Sequence, residues 1–185
     1  MKLLRKRWFA AVLMVLLVVL ALFLGAIRSA YAARGDAKDA FFEPEDGYGN
    51  LNESFLTLTD SAKSLYSLGK KYGVESAEEY KAALDTAKKA SMPADKLYAA
   101  QKLRNLTDDF YASLSEKSLD SLDEGSAKRA LSRLGIELQR IEQIARIRKS
   151  SFNAAVEEYN TGVLDSPLTG WLLRLLGFAE MEKIY

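Results

Sequence analysis

From Trp8 to Ile27 the chain runs for 20 residues without a charged side chain. A helix rises about 1.5 Å per residue, so this run reaches roughly 30 Å, the thickness of a bilayer's hydrocarbon core. No second uncharged run of that length occurs, so a hairpin or multi-pass protein is excluded and a single transmembrane helix over 8–27 is expected. Lys2, Arg5, Lys6 and Arg7 precede it, whereas only Arg28 and Arg34 follow closely. The positive-inside bias then places the basic segment 1–7 in the cytoplasm and the remainder outside the cell membrane. Trp8 and Tyr31 stand where aromatic anchors meet the two membrane–water interfaces. A cleaved signal peptide is the rival reading, because Ala30-Tyr31-Ala32 supplies small residues at the positions that precede a cleavage site. Signal peptides have apolar runs of only about 7–15 residues, so the longer run favours an uncleaved signal-anchor. Both readings export the domain.

The anchor explains the charge balance. The chain has 26 basic and 25 acidic residues, a formal net charge of +1. Six of the basic residues, and no acid, fall within the first 34 positions, which leaves the rest at −5. An acidic remainder lacks the basic stripe of a nucleic-acid binder. There is no cysteine and no histidine. That removes disulfides, thiolate nucleophiles, zinc-finger ligands, histidine triads and any imidazole titrating near neutral pH. No metal and no cofactor are expected. An exported chain of this kind is stabilised by packing alone.

Beyond the anchor the pattern is helical throughout, with 28–50 as a juxtamembrane segment and loop and 51–185 as one helical bundle. Prolines occur only at 44, 93 and 167, and no strand-length alternation is present. The stretch Pro44 to Gly49 has the composition of a turn. Asn50 with Glu53 opens a helix to about Tyr72, with Leu51, Phe55, Leu58, Ala62 and Leu65 on one face and Gly73 as its stop. Ser76 with Glu79 forms a capping box for a helix to about Ala90. Ser91 caps a third, with Pro93 in its first turn and Leu97, Leu103, Leu106, Phe110 and Leu114 as its stripe. Residues 118–126 read as a connection.

The longest element covers about 126–163. Ala127, Leu131, Leu134, Leu138, Ile141, Ala145, Phe152, Ala155 and Tyr159 follow a strict four-three repeat, with Arg148 the one polar residue on that seam. A helix of about 38 residues is near 57 Å long and needs partners along its length. The fold class expected is therefore all-α, a single transmembrane helix followed by an antiparallel bundle with one long C-terminal helix. After Pro167 the stretch 168–178 carries Trp171, Leu172, Leu173, Leu175, Leu176 and Phe178 and a single charge, Arg174. Eleven residues are too few to span a bilayer. The plain reading is a tail folding back on the bundle, and the sharper one an interfacial or partner-binding helix. Trp171, Leu172, Leu175 and Phe178 are the candidate partner or docking surface.

Residues 152–161, Phe152-Asn153-Ala154-Ala155-Val156-Glu157-Glu158-Tyr159-Asn160-Thr161, resemble the Y-N-x-A-V-x-x-Y-N-T signature of the LemA family. Pro167 followed by Leu176-Gly177-Phe178 is similar to the family's ending. The resemblance is specific over about 130–185 and looser over 36–125. It departs from the family where Phe152 stands for a tyrosine and where Ser166 and Leu176 stand for phenylalanines. It implies a membrane-anchored helical bundle, bacterial in most members, with no established catalysis or cofactor and no catalytic residues to carry over. Asn153, Tyr159 and Asn160 are read as structural. Asn153 and Asn160 lie seven apart on one helix face, where both amides can reach a neighbouring helix or the returning tail.

Other patterns carry less. Arg34-Gly35-Asp36 spells an adhesion tripeptide close to the membrane, and adjacent carboxylates such as Glu157 and Glu158 point to different helix faces. Glu78 and Glu79 suit a helix first turn. The functional expectation is a non-enzymatic, membrane-tethered bundle that presents an extracytoplasmic surface to another membrane or envelope protein, without nucleic acid. The alternative is an exported bundle holding a small apolar ligand or lipid beneath its C-terminal tail.

Overall fold

The structure is a computed structural model that describes residues 2–42 and 51–185. The expected turn at 44–49 and the Asn50 cap lie outside the described residues. The element order is α1 Lys2–Phe42, α2 Leu51–Lys71, α3 Ala77–Lys89, α4 Pro93–Ser115, α5 Ser121–Glu157, a π-helical segment Glu158–Leu164, and α6 Gly170–Leu175. Among the described residues there is no strand. The chain is all-α, as its patterning dictates.

The contacts divide into two compact units, Met1–Asp39 with Ser151–Lys183 and Ala40–Ser150 with Ile184–Tyr185. The division falls inside α1 and inside α5. The seam of α5 runs through that point without a break in its period, so the pattern gives no sign of it.

In the unit built on Ala40–Ser150, α2, α3 and α4 pack against one another. Their stripes supply the core: Leu51, Phe55, Leu58, Ala62 and Leu65 from α2, Tyr80 and Leu84 from α3, Leu103, Phe110 and Leu114 from α4. Leu106, expected on that stripe, is only half-buried. Tyr80 stacks on Phe110 with ring centroids 4.3 Å apart, and its hydroxyl meets Thr107 Oγ1 at 3.2 Å. Burial pushes the Tyr80 phenol up to about 12. Gly69 sits under the Phe110 ring, where an added methyl group would lie 2.2 Å from the ring tip.

Helix α5 runs antiparallel to α2 and α4. At its start, Lys71 and Tyr72 from the end of α2 reach Asp123, at 2.5 and 2.6 Å. Further along, Arg104 of α4 pairs with Glu142. The one polar intrusion, Arg148, is half-buried and donates to the Ala40 carbonyl at 3.0 Å.

Helix ends depart from the expected ones for local reasons. Gly73 stops α2 as expected: at φ +66° it lets Val74 N–H reach the Gly69 carbonyl at 2.9 Å. Ser76 makes no side-chain cap, because its ψ of 6° is not the extended geometry that aims a hydroxyl at the first turn. Met92, not Ser91, precedes α4, since a residue before proline is driven extended, and Pro93 takes the first position. Helix α5 begins at Ser121 rather than 126, because Asp120 Oδ1 accepts from Asp123 N–H at 2.8 Å, a true N-cap.

The unit holding α1 contains the apolar run. From Trp8 to Leu24 no side chain is buried, and among the described residues α1 alone is long and apolar enough to cross a membrane. The helix does not stop at Ile27. It continues to Phe42, so 28–42, expected as a juxtamembrane segment, is helical. In this stretch burial begins: Ala30 and Ala37 are completely buried.

Candidate functional site at the C-terminal return

The residues that follow α5 turn the chain back. At Glu158 the α-helix widens into the π-helical segment, closed by Asp165 N–H donating to the Asn160 carbonyl at 3.0 Å, a five-residue step. The long helix therefore ends its α geometry at Glu157 rather than running to 163. Past Pro167 the chain enters α6 through Gly170, packed so closely that an added methyl group would lie 2.0 Å from the Leu164 carbonyl oxygen. Gly177, at φ +86°, ends α6, and Phe178 N–H reaches the Leu173 carbonyl at 2.9 Å while Gly177 N–H reaches that of Arg174 at 3.0 Å. These are the paired bonds of a Schellman ending.

Asn160 fixes the tail. Its side-chain nitrogen donates to the Met181 carbonyl and its side-chain oxygen accepts from Met181 N–H, both at 3.0 Å. One amide thus satisfies a whole backbone peptide position, as a strand neighbour would. Beside it Tyr159 is completely buried and donates to the Ala179 carbonyl at 3.4 Å. Burial raises its phenol above the usual range, and the positive charge of Arg34 partly offsets this. The Arg34 guanidinium lies 5.9 Å from the centre of the Tyr159 ring. Arg34-Gly35-Asp36 is thus a turn of α1 whose arginine faces Tyr159, not an extended adhesion loop. Asn153 is half-buried.

The four residues of the candidate surface separate. Leu172 and Phe178 are buried, whereas Trp171 is 62% and Leu175 77% exposed. Phe178 meets Tyr31 of α1 edge-to-face, with centroids 5.0 Å apart. Leu168 and Leu176 are exposed as well. Arg174 is engaged by Asp165 at 2.6 Å and Glu180 at 3.4 Å. Trp8 is exposed near the far end of the apolar run. Sequence reasoning placed Tyr31 and the tail separately. It missed Arg34, Gly170 and Met181, for which the only signal was the glycine after Thr169.

A second feature lies in the other unit. A cleft of ≈ 460 Å³ opens between α4 and α5, its lining including Leu97, Leu138, Ile141, Glu142, Arg146 and Lys149 together with Ile184 and Tyr185. Among the described residues no group of acidic side chains is arranged to hold a metal ion.

No family model, curated protein or solved structure matches the chain.

Proposed function

We propose that this is a membrane-anchored, non-enzymatic helical protein of the LemA type, which presents its helices outside the cytoplasmic membrane to a membrane or envelope protein. One observation carries the reading. A single helix has an unburied apolar run from Trp8 to Leu24 and then, without a break, buries Ala30 and Ala37 in its own fold. The anchor and the stretch that buries Ala30 and Ala37 thus belong to one continuous helix, which suits a module tied directly to the bilayer. The same continuity favours the uncleaved form, since the bond after Ala32 lies mid-helix and Tyr31, just before it, packs on Phe178. The bacterial setting rests on the resemblance of residues 152–161.

Photo-crosslinking in intact cells tests the proposal. A crosslinker at the exposed positions Tyr98 or Ile136 is expected to yield one discrete product with an envelope protein. A chain that remains monomeric from every exposed helix position sinks it. The second reading, a small apolar ligand, rests on the cleft of the other unit, which no residue of 168–178 lines and whose walls carry Glu142, Arg146 and Lys149 beside Leu97, Leu138 and Ile141. Native mass spectrometry of the detergent-released full chain decides there, a bare-chain mass counting against a ligand.

A further inference from the structure

The C-terminal return exposes an apolar face. Leu168 is 84% exposed, Trp171 62% and Leu175 77%. On a helix Trp171 and Leu175 share one face, while Leu172 and Leu173, on another, are buried. The same segment is thus apolar on both sides, with only one side covered.

Its position says what covers the other. Phe178 packs on Tyr31, four residues beyond Ile27 and the end of the uncharged run. Four residues of helix rise about 6 Å, which places Tyr31 in the headgroup layer when 8–27 fills the hydrocarbon core. Tyr159 bonds the Ala179 carbonyl and Asn160 bonds Met181, and these bonds tie the chain just beyond the return to the end of the long helix. Tryptophan and leucine on a short segment at this depth are the residues that settle into the boundary between headgroups and acyl chains. Arg174 is occupied by Asp165 and Glu180, and no free cation faces anionic lipid from α6.

We infer that Leu168, Trp171 and Leu175 lie in the interface of the same bilayer that α1 spans, making a second, monotopic contact beside the anchor. The contact is apolar, so it holds in zwitterionic lipid and at high salt. It fixes the rotation of α1 in the membrane, which a lone span does not. The inference rests on α1 spanning the bilayer, as proposed above.

The two tryptophans of the chain test each part separately. The full-length protein is reconstituted into phosphatidylcholine vesicles carrying brominated acyl chains, once as Trp8→Phe, reporting Trp171, and once as Trp171→Phe, reporting Trp8. Both are expected to lose emission by a similar fraction, the Trp171 loss unchanged at high salt. Adding Leu168→Ser and Leu175→Ser to the Trp8→Phe protein is expected to abolish the Trp171 loss while the chain stays in the vesicle fraction. Quenching of Trp8 with Trp171 open to aqueous acrylamide overturns the inference and leaves the anchor standing. Trp171 shielded from both quenchers also overturns it and points to cover by a second copy. If neither tryptophan is reached by bromine, the anchor itself fails.

Discussion

A methyl group added at Gly170 meets the Leu164 carbonyl oxygen at 2.0 Å and its carbonyl carbon at 2.9 Å. Both are backbone atoms, so no side chain can rotate away, and α6 must shift against the turn that leads into it. Gly170→Ala is expected to destabilise the fold by about 1–3 kcal/mol, the range for overpacking a close contact. Gly162→Ala, eight residues earlier, has open space around its added carbon. It is expected to be neutral or stabilising by up to about 1 kcal/mol, since alanine loses less backbone entropy in a helical segment. Urea denaturation of the detergent-solubilised chains, followed by circular dichroism, measures both, and equal midpoints refute the close approach. The two glycines are indistinguishable in the sequence. Asn160 was more legible, because an amide among apolar helix residues needs a partner and the returning tail was one of two on offer. That its partner is Met181, and that both ends of the amide bond one peptide position, follows from the path of the turn.

Helix existence was readable from the apolar stripes, but the ties between helices were not. Lys71 and Asp123 are 52 residues apart, and nothing local links them. The hydrogen bond from the Lys71 ammonium, then that from the Tyr72 hydroxyl, holds the Asp123 carboxyl below its ordinary value of 3.8. The same bonds raise Lys71 above 10.5 and Tyr72 above 10.0. A depressed carboxylate contributes stability above its unfolded value and loses it as pH falls through the folded value. The raised lysine and tyrosine contribute below their unfolded values and lose it as pH rises through the folded ones. The junction between α2 and α5 is therefore strongest between about pH 4 and pH 10. Asp123→Asn is expected to melt below the parent at neutral pH, with a gap that closes as acid protonates Asp123 in the parent. Because the pair faces solvent, salt also narrows the gap. Thermal melts at pH 7 and below pH 4 provide the check, and a gap that persists in acid assigns the loss to packing instead. Asp120 was missed as the cap of α5 for a related reason. Asp120, Asp123 and Ser126 all suit a helix start, and only the bond from Asp123 N–H to Asp120 chooses among them.

Across the whole molecule, the chain carries its positive excess at one end of a single apolar run. Lys2, Arg5, Lys6 and Arg7 lie before it, Arg28 and Arg34 after it. Length and apolarity were legible at once, because a 20-residue run admits few other uses. The division into two units was not, since the period of α5 continues through Ser150 and Ser151. Orientation follows from charge and not from fold, so it has its own test. Protease added to intact spheroplasts is expected to digest the chain beyond Arg28 and to spare a membrane-bound fragment containing Trp8 and the basic N-terminus. The acid-rich remainder offers no resistance to export, since acidic residues contribute little to the orientation rule. Replacing Lys2, Arg5, Lys6 and Arg7 by glutamine leaves Arg28, Arg34 and Lys38, all on the far side, as the basic side chains near the span, and a protected, inward-facing fraction is expected to appear. Full protection of the parent chain reverses the topology. A fragment that instead begins at Ala33 and is free of the membrane would establish cleavage, and would separate Tyr31 from Phe178.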